Sequence, residues 1–197
     1  MLDTHARKWV QPIIGRTAKL LLNWGLTANQ VTWIAFVIGA TTGFFIYWNM
    51  PIVAVFLLWI SGYLDAVDGS MARMNKQTSA WGTLLDITFD RIVELSVIIG
   101  LAAIYPEARF LLLLLTASIV FSMTIFLTVG ALTEKKGMKS FYYQAGVAER
   151  TEGFILLSLM VLLPNWLLWT TALFLIVEVF TGLQRMMEAR RLLRDEL

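Results

Sequence analysis

Six stretches of this chain stay apolar for longer than an ordinary core helix, at approximately 30–48, 52–72, 82–104, 109–132, 147–163 and 166–187. A helix needs about 20 such residues to cross a hydrocarbon layer ~30 Å thick. The pattern therefore predicts an all-α integral membrane protein with six transmembrane helices. The turns Asn49-Met50-Pro51, Tyr105-Pro106-Glu107 and Pro164-Asn165-Trp166 divide spans one from two, three from four and five from six. The fifth span is short and opens on Glu149, Arg150 and Glu152.

Ahead of the spans, Arg7, Lys8, Arg16 and Lys19 are interleaved with Trp9, Val10, Ile13, Ile14, Leu20, Leu21, Leu22 and Trp24. That mixture predicts an N-terminal amphipathic juxtamembrane helix over 1–24, lying in the headgroup layer and interrupted near Pro12 and Gly15. Residues 23–27 end it, and Thr27 or Asn29 suits the cap of the next helix. Gly39 and Gly43, four apart in the first span, permit a close helix approach. A single membrane domain over 1–197 accounts for the pattern: the interfacial segment 1–24, the six-helix region 30–187 and a cytoplasmic tail 188–197.

Composition agrees. The 197 residues are 58% hydrophobic and only 15% charged, against about a quarter charged in soluble domains. Cysteine is absent and His5 is the one histidine, which excludes disulfides, thiolate metal sites and any multi-histidine site within one chain. No short apolar run ending in small residues marks a cleavable signal peptide. With six spans, only Arg109 of the 16 Lys and Arg residues falls on the face of the 1/2, 3/4 and 5/6 turns. The positive-inside rule then predicts a multi-pass protein of the cell membrane with both termini cytoplasmic. The net charge of +2 reads as a topology and lipid-headgroup signal, not as a nucleic-acid footprint.

Four aspartates interrupt this apolar background: Asp65, Asp68, Asp86 and Asp90. Intramembrane acids are costly and mark functional sites by default. Residues three or four apart share a helix face, so Asp65 pairs with Asp68, and Asp86 with Asp90. The polar turn Met74–Trp81 is expected to fold the second span back beside the third, setting the acid pairs face to face at the cytoplasmic side. Oxygen-rich sites suit Mg²⁺ or Mn²⁺, and two such ions about 4 Å apart can clamp a phosphoryl group. Gly69 and Gly82 would let a bulky ligand approach the backbone, while Arg73 offers a phosphate-matching fork. A salt-bridged helix pair is the structural alternative. It would need more cation than Arg73 and Arg91 supply, because Arg91 has Glu94 as an i,i+3 partner. A carboxylate-based ion transporter is the competing functional class, but here the acids cluster in one hairpin with no second copy elsewhere.

The run D-x2-D-G-x2-A-R-x8-G-x3-D-x3-D, satisfied by Asp65, Asp68, Gly69, Ala72, Arg73, Gly82, Asp86 and Asp90, resembles the signature of the CDP-alcohol phosphotransferase family. The resemblance implies a six-span membrane enzyme, usually a homodimer. Such an enzyme moves a phosphatidyl-type group from a CDP-linked lipid to a small polar alcohol and releases CMP. By that analogy Asp65, Asp68 and Asp86, with Asp90 contributing, hold two divalent ions. Asp90 is the general base, and Asp65, Asp68, Gly69, Arg73 and Gly82 meet the CDP portion. The sequences Asp86-Ile-Thr-Phe-Asp90-Arg91, Ala148-Glu149-Arg150 and Gln184-Arg185 resemble the branch making phosphatidylinositol phosphate-type lipids. There Lys136, Lys139, Arg150 and Arg185 would bind a phosphorylated acceptor. Glycerol 3-phosphate and serine are the competing acceptors. Ala28, where many relatives carry proline, and the long loop Lys135–Gln144 with Ser140–Tyr143 depart from the branch pattern.

Overall fold

The computed structural model describes residues 2–132 and 150–194. Lys135, Lys136, Lys139 and Ser140–Tyr143 lie outside the described residues. Among those described, all regular structure is helical, and the chain divides into two compact units, 2–106 and 107–194.

The first unit begins with α1 (Leu2–Asn23), which runs unbroken through Pro12 and Gly15. The expected interruption does not occur. Proline removes one backbone bond and crowds the preceding turn, at a cost of ~3 kcal/mol, and the downstream turns hold the helix on α4 (Pro51–Met74). Ile14 and Ala18 bury against Val67 and Met71, Gly15 lies against Met74, and the Thr17 and Tyr63 hydroxyls hydrogen-bond at 2.6 Å. Val10, Ile13, Leu20 and Trp24 remain exposed. The helix stops at Gly25, whose φ of 80° allows the Gly25 N–H to reach Leu22 O and the Leu26 N–H to reach Leu21 O, a Schellman closure. Thr27, rather than Asn29, caps the next helix, in a capping box with Gln30.

The first expected span is broken. It consists of α2 (Ala28–Ala40) and α3 (Thr42–Tyr47), which together are long and apolar enough to cross a membrane. At the break the Thr41 hydroxyl donates back to Ile38 O at 2.7 Å, and the Phe44 N–H tightens onto Thr41 O. Such back-bonding bends helices. Asn49, at φ 57°, ends α3 with a second Schellman pair, Asn49 N–H to Ile46 O and Met50 N–H to Phe45 O. Pro51 then starts α4, with φ already set for a first helical turn.

Packing in this unit is organised by α2 and α3. Both α4 and α5 (Ala80–Ile104) pack chiefly against them rather than against each other. The glycines explain how. A Cβ at Gly39 would meet Val93 at 2.5 Å, one at Gly43 would strike the Ser96 carbonyl, and one at Gly100 would lie 2.6 Å from Gly43 O. Ser61 adds a buried hydrogen bond to Ala35 O at 2.7 Å. Close backbone approach through small residues is how helices associate where lipid removes the hydrophobic drive.

In the second unit, a short turn Pro106–Ala108 leads into α6 (Arg109–Leu132); α7 (Arg150–Leu162) and the turn Pro164–Trp166 precede α8 (Leu167–Arg194). The tightest pairing is α6 on α8, where Gly182 fits beneath Phe121 and Ser122. Four helical segments have the length and apolarity of membrane spans: Ala28–Tyr47, Pro51–Met74, Pro106–Leu132 and Pro164–Leu193. The helix α5 is long enough but carries Asp86, Asp90, Arg91 and Glu94, while α7 has 13 described residues.

Gly43→Ala should lower the thermal unfolding midpoint of the detergent-solubilised protein by several degrees. The obstruction is backbone, and overpacking of this kind costs about 1–3 kcal/mol. Gly153→Ala, whose new methyl would sit 3.8 Å from Phe174, should unfold no earlier than the unmodified chain in the same assay.

Candidate metal and phosphate site

The acids lie where α4 ends and α5 begins. The α4 helix closes through Lys76 in the left-handed region (φ 53°), with Lys76 N–H on Arg73 O and Gln77 N–H on Ala72 O. Three residues later the Ser79 hydroxyl accepts the Gly82 N–H at 3.0 Å and caps α5. The connection is short enough to keep the last turns of α4 beside the first turns of α5.

Within this frame Asp65, Asp86 and Asp90 are brought together. Each offers one carboxylate oxygen such that all three lie within 4.8 Å of one another, and all three side chains are half-buried. Asp68 does not join the trio. It is 6% exposed and lies near Thr32, Gly69, Asp86 and Arg73. Its Oδ2 is buried with no hydrogen-bond partner. Helical geometry accounts for the difference. An i,i+4 pair such as Asp86 and Asp90 is offset by about 40° around the axis, an i,i+3 pair such as Asp65 and Asp68 by about 60° the other way. Asp68 thereby turns toward α2. The donor set is all carboxylate, with one buried oxygen uncommitted, which is what hard divalent cations accept.

The flanking residues have definite places. A Cβ at Gly69 would lie 3.3 Å from an Arg73 guanidinium nitrogen, so Arg73, exposed at the helix end, folds back over the bare Gly69 backbone. A Cβ at Gly82 would stand 3.3 Å from Ser79 Oγ and 3.6 Å from Asn29 Oδ1. Asn29 and Thr32, both on α2, escaped the sequence reading. One signal was present for Thr32: it is the polar member of the buried stripe Val31, Thr32, Ala35 and Gly39. Arg91 is directed elsewhere, forming an ion pair with Glu94 at 2.7 Å. Glu94 is buried, so this guanidinium neutralises a carboxylate one turn beyond Asp90.

In the second unit, Arg185 is only 7% exposed. It donates to Ser122 Oγ at 2.9 Å and stacks over Phe126 with 5.0 Å to the ring centroid. Arg150 lies over Phe154 at 5.5 Å. Aromatic faces attract guanidinium groups while leaving donor edges available. Ser122, Phe126 and Phe154 were not identifiable as arginine supports from sequence, because each is an unremarkable residue of an apolar helix.

The model of the CDP-alcohol phosphatidyltransferase family matches residues 25–187, and the chain belongs to that family. It is a transferase of the CDP-alcohol phosphatidyltransferase type. It is 30% identical over 174 residues to the inner membrane protein YnjF of Escherichia coli (strain K12), covering 84% of each chain. It is 36% identical over 102 residues to the archaetidylinositol phosphate synthase of Pyrococcus horikoshii, covering 52% of this chain and 54% of that one. The chain thus spans about half the length of the archaeal relative. In fold it is similar to the phosphatidylinositol phosphate synthase of Mycobacterium tuberculosis solved with CDP-DAG bound, with TM-score 0.76 and 23% identity over 90% of this chain and 94% of that one. The same mycobacterial enzyme in complex with manganese and citrate gives a TM-score of 0.75 at 22% identity, covering 89% and 88%.

Arg91→Ala should destabilise the fold by about 3 kcal/mol, because it removes the guanidinium that is paired with the buried Glu94 carboxylate. Arg91→Ala combined with Glu94→Leu should recover much of that loss. Thermal unfolding of the two variants side by side reads the difference.

Proposed function

We propose that this protein transfers a phosphatidyl-type group from a CDP-linked lipid such as CDP-diacylglycerol to a hydroxyl of a small phosphorylated polyol, releasing CMP. The observation that carries this reading is the convergence of Asp65, Asp86 and Asp90 within 4.8 Å in a chain of this family. Asp65, Asp68, Asp86 and Asp90 would hold two Mg²⁺ or Mn²⁺ ions, a choice supported by the all-oxygen donor set and by the manganese found with the mycobacterial neighbour. When bound, such ions spread the charge that develops on the phosphoryl oxygens. Gly69 and Gly82 present bare backbone to the CDP portion, and Arg73 brings a fork that can bond two phosphate oxygens at once.

Asp90 is the base. Its carboxylate accepts the proton of the attacking hydroxyl. That oxygen forms a bond to the phosphorus carrying the diacylglycerol, and the bond from this phosphorus to the CMP oxygen breaks in line. The electron pair leaves with CMP, and the proton on Asp90 passes to solvent before the next cycle. Placement within hydrogen-bond reach of the hydroxyl matters more for this role than the carboxylate's intrinsic basicity.

The acceptor's phosphate is assigned to Arg150 and Arg185, with Lys136 and Lys139 contributing from outside the described residues. Two supported guanidinium groups in the membrane region favour an anionic acceptor over serine. The naming of the archaeal and mycobacterial relatives as inositol phosphate-type synthases favours a cyclic polyol phosphate over glycerol 3-phosphate. The full proposal is a single six-span domain whose helix α1 lies in the headgroup layer, with both termini and the acids on the cytoplasmic side. Its working form is a homodimer.

CMP formation from CDP-diacylglycerol, measured with a panel of free and phosphorylated polyols, tests this reading directly. Turnover should require Mg²⁺ or Mn²⁺ and vanish on chelation with EDTA. Asp90→Asn should lower kcat by at least ~10²-fold, the usual scale of a positioned base, while CDP-lipid binding persists. Turnover of Asp90→Asn near the wild-type rate would remove Asp90 as the base. Arg150→Ala and Arg185→Ala should raise the acceptor KM with a smaller change in kcat; an unchanged KM would dissociate them from the acceptor.

A further inference from the structure

We infer that Ser122 is a positioning residue for the anionic acceptor: its hydroxyl, backed by the Phe126 ring, sets the Arg185 guanidinium in place before the substrate arrives. This rests on the reading of Arg185 as a contact for the acceptor's phosphate, and it gives a role to two residues of α6 outside every motif.

Direct geometry carries it. Arg185 Nη1 donates to Ser122 Oγ at 2.9 Å, and the guanidinium carbon stands 5.0 Å from the centre of the Phe126 ring. Ser122 and Phe126 are four apart on α6, so both meet α8 from one helix face. Ser122 is fully buried and Arg185 is 7% exposed, which keeps water from competing for the bond. Thr116, Ser118 and Thr124, on the same helix, donate to carbonyls of their own turns, Leu112 O, Leu115 O and Val120 O. Ser122 instead serves a side chain of α8.

The backbone is shaped for this contact. Gly182 lies one turn before Arg185, and a Cβ there would fall 2.7 Å from the Phe121 ring and 3.5 Å from Ser122 Cα. The bare glycine lets α6 come close enough for a side chain as short as serine to reach the guanidinium. One turn beyond Arg185, Ala189 packs with Ile125 and Val129, closing the other side in apolar contact. An arginine side chain is rich in rotamers, and freezing it during binding subtracts from affinity. Held beforehand by Ser122 and Phe126, Arg185 meets an anion already ordered. Both supports are neutral, so neither cancels its positive charge, whereas Glu94 does cancel that of Arg91. Ser122 uses one of the guanidinium's N–H donors, which orients the fork without filling it.

The test uses the full-length protein in detergent, with inorganic phosphate as probe. Binding is followed by ³¹P NMR titration in EDTA, so that no metal holds the anion. Ser122→Ala should weaken phosphate binding about 3–10-fold, the scale of one immobilised side chain, with little change in the unfolding midpoint. Ser122→Thr, which keeps the hydroxyl, should bind nearly as the wild type does. Adding Ser122→Ala to Arg185→Ala should weaken binding no further, because the hydroxyl acts only through that arginine. In turnover with CDP-diacylglycerol, Mn²⁺ and an inositol monophosphate, Ser122→Ala should raise the acceptor KM while kcat and the donor KM hold. Phe126→Leu removes the aromatic face but keeps an apolar side chain, and it repeats the test if the alanine variant folds poorly.

Wild-type phosphate affinity in folded Ser122→Ala and Phe126→Leu variants, beside weak binding by Arg185→Ala, overturns the inference and leaves the acceptor reading intact. A further loss when Ser122→Ala is added to Arg185→Ala also overturns it, since that marks a general lesion. If Arg185→Ala binds phosphate like the wild type, or the unmodified protein binds none, the acceptor reading fails and the inference with it. Absence of turnover would overturn the proposed reaction, while phosphate binding still decides the role of Ser122.

Discussion

Holding three carboxylates together inside a membrane protein is the constraint around which the first unit is built. At a separation of 4.8 Å, two full negative charges repel by about 3–4 kcal/mol at the effective dielectric that suits protein sites. Three such pairs approach the whole stability of an ordinary domain, about 5–15 kcal/mol. The cluster persists only if the backbone is held by something stronger than the acids' mutual repulsion and if positive charge is brought to it. Arg91 is turned to Glu94, and Arg73 arches over Gly69 at the helix end. A bound divalent cation, of the kind this family uses, brings such charge to the three carboxylates.

The backbone restraint comes from α2 and α3. These helices press small residues against both acid-bearing helices, with Gly39 on Val93 and Ser61, and Gly43 on Ser96 and Gly100. The acids thus face each other because two helices share a third as support. The capping box at Thr27 and the three Schellman closures, at Gly25, Asn49 and Lys76, fix where each helix starts and stops. In a segment carrying four acids, that precision sets whether carboxylates meet or miss.

Much of this was legible in the sequence. The aspartates stood out because four acids fall in pairs at helical spacing on either side of one polar turn, and Gly39 and Gly43 announced a close approach. What escaped was angular. The spacing of Asp65 and Asp68 assigns them one face, but the i,i+3 offset sends Asp68 toward Thr32, a neighbour set by how α2 crosses α4. The proline in α1 predicted an interruption because local chemistry weighs against a helix there, whereas contacts with α4, invisible to a local reading, preserve it. The break at Thr41 was hidden for the opposite reason: a run of apolar residues masks a hydroxyl that bonds its own backbone. In the second unit the arginines were readable as charges, but their aromatic supports were not, since phenylalanine in an apolar helix carries no distinguishing mark.

The shared support has one more outcome. Because Ser61 of α4 and Val93 of α5 both close on the bare backbone of Gly39 in α2, the gap between their carboxylates is a mechanical dimension, set by how thin α2 is at Gly39. A methyl group there would act as a shim, changing the bite of an oxygen cage whose members it never touches. Evolution could therefore retune such a cage for ions of another radius by editing a silent, buried glycine while every ligand stays in place.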